Sequence, residues 1–139
     1  MTAHPIHPAV VHFPLGLLLS ASAADLLHLA GIWSNPPFSA LLIAAGLLGG
    51  LGAMAAGLYD FARLDETIVP HALRHMGTVG LAWLGYAVAL YLRRETLTGS
   101  SEPSGASIAV CLASALILAF GGWLGGELVY RYGAGRIAK

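Results

Sequence analysis

Histidine is the residue type whose spacing in this sequence points most clearly to chemistry. The chain has 139 residues and six histidines. His4, His7 and His12 open the chain, while His71 and His75 lie four residues apart and would share one face of a helix. Imidazole is a ligand for haem iron and for transition-metal ions. The pattern predicts a cofactor or metal site built by histidines from two separate segments.

The elements that must position these histidines are hydrophobic helices. Residues 1–24, 26–59, 75–92 and 103–126 contain no Asp, Glu, Lys or Arg. A helix that crosses a bilayer needs about 20 mostly apolar residues, and its backbone must form its hydrogen bonds internally. Asn35-Pro36-Pro37 interrupts the second stretch with a strong turn signal. We predict an all-α integral membrane four-helix bundle, one domain over 1–139, with spans at about 9–31, 38–61, 71–92 and 107–130.

The composition supports a membrane protein and excludes several other classes. Hydrophobic residues make up 57% of the chain and charged residues 10%, with seven basic and seven acidic side chains. Such a chain is not disordered, and it lacks the basic surface that nucleic-acid binding needs. The single cysteine, Cys111, excludes a disulfide framework, and no Cys-x-x-Cys-His run is present to attach a c-type haem. No nucleophile–base pair is evident, which favours an electron carrier or binding protein over a stand-alone enzyme.

The basic residues predict the orientation of the bundle in the inner membrane. Five of them fall on the side that holds both termini and the second loop, and two fall on the other side. The five are Arg63, Arg74, Arg131, Arg136 and Lys139, and the two are Arg93 and Arg94. Basic residues favour the cytoplasmic side. We therefore expect both termini, and with them the five histidines at positions 4, 7, 12, 71 and 75, to be cytoplasmic.

A b-type haem is the first interpretation of these histidines. In a sequential four-helix bundle the first and third spans are diagonal across the core, so a histidine on each can face the other. We predict His12 and His75 as the axial ligands, with His71 as the substitute for His75. Gly16 lies about one turn after His12 and leaves room for a porphyrin edge. Such a protein would pass electrons, with a quinone and a redox protein as candidate partners.

A bare transition-metal ion is the competing interpretation. Several imidazoles with added carboxylates would form its site, either for binding or for transport. The candidate ligands are His4, His7, His12, His71, His75, Asp60 and Glu127. A third interpretation is a structural subunit of a membrane complex, in which the histidines only sit at the headgroup level.

Two further features have both a structural and a functional interpretation. Asp25 lies inside the first span, where it forms either a buried hydrogen bond to a neighbouring helix or part of a proton relay; His28 is expected beside it. Glycines recur at four-residue spacing in spans two and four, including Gly121 with Gly125 and Gly122 with Gly126. Such rows allow close helix packing, here within the bundle or in a homo-oligomer.

Three segments of the chain together resemble a known family. They are the opening His4-Pro-Ile-His7-Pro-Ala-Val-Val-His12-Phe-Pro14-Leu-Gly, the segment Gly57-Leu-Tyr-Asp60, and Gly125-Gly-Glu-Leu-Val-Tyr130-Arg-Tyr-Gly133. With the histidines of span three, they look like the small bacterial four-span membrane proteins of domain-of-unknown-function family 2231. The resemblance covers nearly the whole chain and implies a four-helix membrane domain. Members also occur joined to Rieske or c-type cytochrome domains, which implies a link to electron transfer.

Overall fold

The fold is an antiparallel bundle of long α-helices. The computed structural model describes residues 10–134, and within them lie four α-helices and no strand. The helices are α1 His12–Leu29, α2 Pro36–Phe61, α3 Val69–Leu92 and α4 Gly105–Tyr130, with a short 3-10 helix Arg94–Thr98 between α3 and α4. The predicted all-α bundle is confirmed. The helices agree with the predicted spans to within three residues at each end.

Local side chains explain where the helices begin. The Asn35 carboxamide accepts a hydrogen bond from the backbone N–H of Phe38, and two prolines occupy the first turn of α2. The Ser104 hydroxyl caps α4 in the same way, through the N–H of Ser107. In the α2–α3 loop, the N–H and hydroxyl of Thr67 both donate to Asp65 and lower the pKa of that carboxyl. Turn chemistry thus separates elements that are otherwise uniformly apolar.

Each helix packs against its neighbours in chain order, and α4 closes the ring on α1. Consequently α1 and α3 lie at opposite corners, as the sequence predicts. The core contains Ile43, Leu18, Leu47 and the fully buried Tyr86. Large apolar side chains, such as Leu116 at 75% exposure, point outward. An apolar outer surface is the arrangement that a lipid environment favours.

Three of the helices in the described part of the chain, α2, α3 and α4, are long and apolar enough to cross a membrane. Helix α1 has 18 residues and carries His12, Asp25 and His28, which lower its hydropathy. The number of four membrane spans therefore stays a prediction, although α1 packs against both α2 and α4.

Helix α4 carries two rows of glycines that differ in their surroundings. The row of Gly121 and Gly125 packs against α3, whereas the row of Gly122 and Gly126 has open space beside it. A Cβ added at Gly121 would lie 2.8 Å from Cγ2 of Val79, and one at Gly125 would lie 3.0 Å from Cε1 of His75. Both glycines therefore allow α4 to approach α3 closely. A Cβ at Gly122 or Gly126 would meet no atom within 4 Å. The expected packing within the bundle accounts for the first row, and the homo-oligomer remains a prediction for the second.

Gly121→Leu is expected to destabilise the bundle by about 1–3 kcal/mol, because the added side chain overpacks the α3–α4 contact. Gly122→Leu is the matched control, since the neighbouring position is open and the new side chain would point outward. Thermal unfolding of both variants in detergent measures the difference. Equal stability of the two would show that the row containing Gly121 does not hold α4 against α3.

Candidate functional site

The bundle has two ends with different chemistry. We call the end formed by His12, the α2–α3 loop and Tyr130 the terminal end. The opposite end, formed by the α1–α2 loop and residues 92–105, is the hairpin end. His12, His71 and His75 all lie toward the terminal end, as predicted. His4 and His7 lie outside the described residues.

His75 is held in a defined orientation between α3 and α4. Its Nδ1 lies 2.9 Å from the carbonyl oxygen of Gly121. A carbonyl only accepts, so Nδ1 carries the proton, and in the neutral ring the lone pair is on Nε2. Metal-bound histidines commonly donate their other ring nitrogen to a backbone carbonyl in this way. The backbone of Gly125 lies beside the ring, where a larger residue would displace it.

His71 lies one turn before His75 and has a different environment. Its ring stacks on Tyr132, with 3.8 Å between the centroids and 20° between the planes. Tyr132 lies two residues after the end of α4, so the stack joins the start of α3 to the chain beyond α4. His71 is therefore oriented by an aromatic face, whereas His75 is oriented by a hydrogen bond.

His12 is the first residue of α1 and its side chain is exposed. Gly16, one turn later, has open space beside it, since an added Cβ would meet no atom within 4 Å. Within residues 10–134 the structure gives no direct contact between His12 and His75. The two predicted ligands therefore share one end of the bundle but are not brought together.

The predicted carboxylate ligands lie at the same end. Asp60 is half-buried in the last turn of α2, and Glu127 accepts a hydrogen bond from Arg131 at 3.2 Å. The second contact is the helix-stabilising pair that their i,i+4 spacing indicates. In the part of the chain that the structure describes, no three His, Cys, Asp or Glu side chains are grouped so that they could hold a metal ion.

The hairpin end contains a buried ion pair. Arg93 donates through Nη1 and Nη2 to the two carboxylate oxygens of Asp25, at 2.9 and 2.8 Å. Their side chains are 1% and 3% exposed. Arg93 also donates to Ser39 and, through Nε, to Ser107, both at 3.1 Å. Because these four residues come from α1, α2, α4 and the end of α3, the cluster joins all four helices.

This pair corrects two expectations. Arg93 is not a free loop charge, since it points into the bundle. His28 does not pair with Asp25; its Nδ1 lies 2.8 Å from the hydroxyl of Ser34 instead. The expected hydrogen bond from Asp25 to a neighbouring helix is confirmed, because Ser39 of α2 donates to it at 2.8 Å. One sequence signal could have revealed the pair: Asp25 is an isolated acid in residues 1–59 and needs a cation when buried.

A second polar group lies deeper in the bundle, next to the ion pair. The Ser22 hydroxyl lies 2.8 Å from the Tyr86 hydroxyl and 3.4 Å from Sγ of Cys111. All three side chains are buried. Ser22 is three residues before Asp25 on α1, so this group and the ion pair share a helix face.

One comparison with known proteins gives the general class of the chain. The family model described as "Predicted membrane protein (DUF2231)" matches residues 3–138. No curated protein matches the chain, and no solved structure does.

Proposed function

The chain belongs to the DUF2231 family of predicted membrane proteins, and from that premise we propose that it is an inner-membrane electron carrier with a b-type haem at the terminal end. His75 and His12 would hold the haem iron through their imidazoles, with His71 as the substitute for His75. The bound iron would alternate between its ferric and ferrous forms and so carry one electron at a time. Electrons would be exchanged with a quinone and with a redox protein.

One observation carries the proposal: the hydrogen bond from His75 to the Gly121 carbonyl. Because Nδ1 is protonated in this bond, Nε2 is the nitrogen that would bind the iron. The bond also limits rotation of the ring. Donation to a carbonyl also increases the electron density on the imidazole, which favours the bond to iron. The fixed tautomer and the restricted ring both support His75 as the proposed haem ligand.

The other residues fit the haem unequally. Gly16 leaves open space one turn from His12, which suits the edge of a large flat ring. His12 is exposed at the very start of α1, and among residues 10–134 its imidazole is not held by a contact comparable to that of His75. The fit therefore supports His75 more strongly than His12, and the two ligands are best tested separately.

The proposed orientation has both termini in the cytoplasm. The buried ion pair supports it, because Arg93 is withdrawn from the loop that the sequence assigns to the outer side. Arg94 is then the one basic loop residue at the hairpin end, against five predicted at the terminal end. A reporter enzyme that works only in the cytoplasm should therefore show activity when it is fused after Lys139. Activity of a periplasmic reporter at the same point would reverse the orientation.

The visible absorption spectrum of the purified protein tests the proposed function. Expression with ample haem should give a Soret band that shifts when dithionite reduces the iron. A colourless protein that contains stoichiometric zinc, copper or nickel would overturn the haem interpretation and favour the bare-metal site. A protein with neither would overturn both cofactor interpretations and favour a structural subunit.

A further inference from the structure

A column of buried polar side chains runs from the hairpin end toward the middle of the bundle, away from the proposed haem site. Its outer part is the ion-pair cluster with Thr96, and its inner part is the Ser22 group. We use "polar column" for Asp25, Ser39, Arg93, Thr96, Ser107, Ser22, Tyr86 and Cys111, all of them buried. Buried polar groups in a membrane helix bundle are costly and usually serve a function.

The members of the column are hydrogen-bonded within each part, and the two parts adjoin on one face of α1. Ser39 donates to Asp25 at 2.8 Å, and the buried Ser22 lies about one turn before Asp25 on the same helix. Cys111 and Tyr86 both lie within hydrogen-bonding distance of Ser22. Polar atoms from all four helices thus follow one another from Asp25 to the Tyr86 hydroxyl.

The Ser22 hydroxyl determines how the inner hydrogen bonds are directed. It lies 3.2 Å from the carbonyl oxygen of Leu18, which can only accept. When Ser22 donates there, the Tyr86 O–H and the Cys111 S–H both donate to the Ser22 oxygen. Hydroxyl and thiol groups can each donate and accept, so a group that takes up one proton from a neighbouring water releases its own proton to water, and no side chain gains or loses net charge.

The column approaches the surface beneath a cleft of about 350 Å³ at the hairpin end. Pro36 and Gly99 line this cleft. Ser39 follows Pro36 by three residues in α2, and Thr96 precedes Gly99 by three residues, with its carbonyl accepting the Gly99 N–H at 3.0 Å. Each buried hydroxyl is therefore about one helical turn from the wall of the cleft.

Thr96 provides an independent sign that water enters here. Its side chain is fully buried, and its Oγ1 has no hydrogen-bond partner among residues 10–134. A buried hydroxyl without a partner costs about 1–3 kcal/mol, and ordered water commonly satisfies such groups. The backbone of Thr96 hydrogen-bonds to Arg93 on one side and to Gly99 in the wall of the cleft on the other, so a water bound to Thr96 would extend the column toward solvent.

We propose that the polar column is a hydrated proton path, open to water at the hairpin end and closed beyond Tyr86. Its ligands are water and the proton. Toward the terminal end the core continues with Leu18, Leu47 and Leu118, which offer no side-chain hydrogen-bonding atom. The buried hydroxyl of Ser114, one turn beyond Cys111, donates to the Val110 carbonyl within its own helix. The column is thus a half-channel through which the protons of water on one side of the membrane exchange with those of the side chains at the bundle centre. The proposal does not depend on haem.

Cys111 provides the probe that tests this path. It is the chain's single cysteine, so its S–H stretching band in the infrared spectrum reports one site. After transfer of the protein in lipid vesicles from H₂O to D₂O, we expect rapid conversion of S–H to S–D. Thr96→Val keeps the shape of the side chain but removes the hydroxyl that would hold the entering water. It should slow the conversion about tenfold or more, which corresponds to an added barrier of about 1.4 kcal/mol.

Two matched variants complete the experiment. Thr96→Ser retains the hydroxyl and should exchange at the wild-type rate. Ser114→Ala removes a buried hydroxyl of α4 that bonds to the Val110 carbonyl within its own helix, outside the column, and should also leave the rate unchanged. A wild-type band that persists for hours would show a dry structural cluster and overturn the proposal. Equal rates in wild type and Thr96→Val would also overturn it, because exchange would then follow another route.

Discussion

Asp25→Ala is expected to destabilise the protein by about 3–5 kcal/mol, the largest effect of any single substitution discussed for the bundle. The carboxylate accepts both arms of the Arg93 guanidinium, and both side chains are almost completely buried. In the described part of the chain, removal of Asp25 leaves a buried cation with hydrogen bonds to the Ser39 and Ser107 hydroxyls alone. Unfolding in mixed micelles with increasing denaturing detergent, followed by circular dichroism, measures the loss.

Two controls separate the buried ion pair from a general effect of charge. Glu95→Ala removes the carboxylate of an exposed pair with Arg94, at 3.8 Å, and should change stability by less than about 1 kcal/mol. The double variant Asp25→Leu/Arg93→Leu removes both buried charges and should recover much of the stability. If Asp25→Ala unfolds like wild type, the ion pair does not hold the hairpin end together.

His75→Ala is expected to lower haem affinity by more than about 100-fold. Loss of a residue that only orients a metal ligand costs about 10–100-fold, and loss of the ligand itself should cost more. His12→Ala should retain haem with a spectrum changed from six- to five-coordinate, because the His75 bond remains. Absorption spectra of variants purified in parallel measure both effects.

His28→Ala is the matched control for these histidine variants. His28 lies near the hairpin end and hydrogen-bonds to Ser34, so its removal should leave the haem spectrum unchanged. His71→Ala should also retain haem, because the Tyr132 stack holds that ring. Loss of haem in His71→Ala with retention in His75→Ala would exchange the roles of the two residues while preserving the site.

The elements of the fold could be predicted from the sequence because apolar length and turn residues determine them directly. Asn35 and the prolines after it separate α1 from α2 at the predicted place. The face that each helix turns to the core was less predictable. Helix α4 is apolar on all sides, so periodicity does not distinguish the row of Gly121 from that of Gly122.

The candidate sites differ in how far sequence could define them. The order of the helices alone predicts that His12, His71 and His75 lie at one end of the bundle, and the structure has all three there. The Asp25–Arg93 pair joins residues 68 positions apart, and Arg93 directly follows α3, where an arginine is typical of a loop. Only the three-dimensional packing shows that this side chain turns inward to neutralise a buried acid.

The most direct test of the proposed haem site is a titration of the haem-free protein with haemin. We expect the Soret band of the wild type to grow to a sharp end point at one haem per chain, and the His75→Ala variant to show no such end point. A gradual, unsaturating increase that is the same in both proteins would contradict the account, because the haem would then be dissolving in the detergent rather than binding to His75.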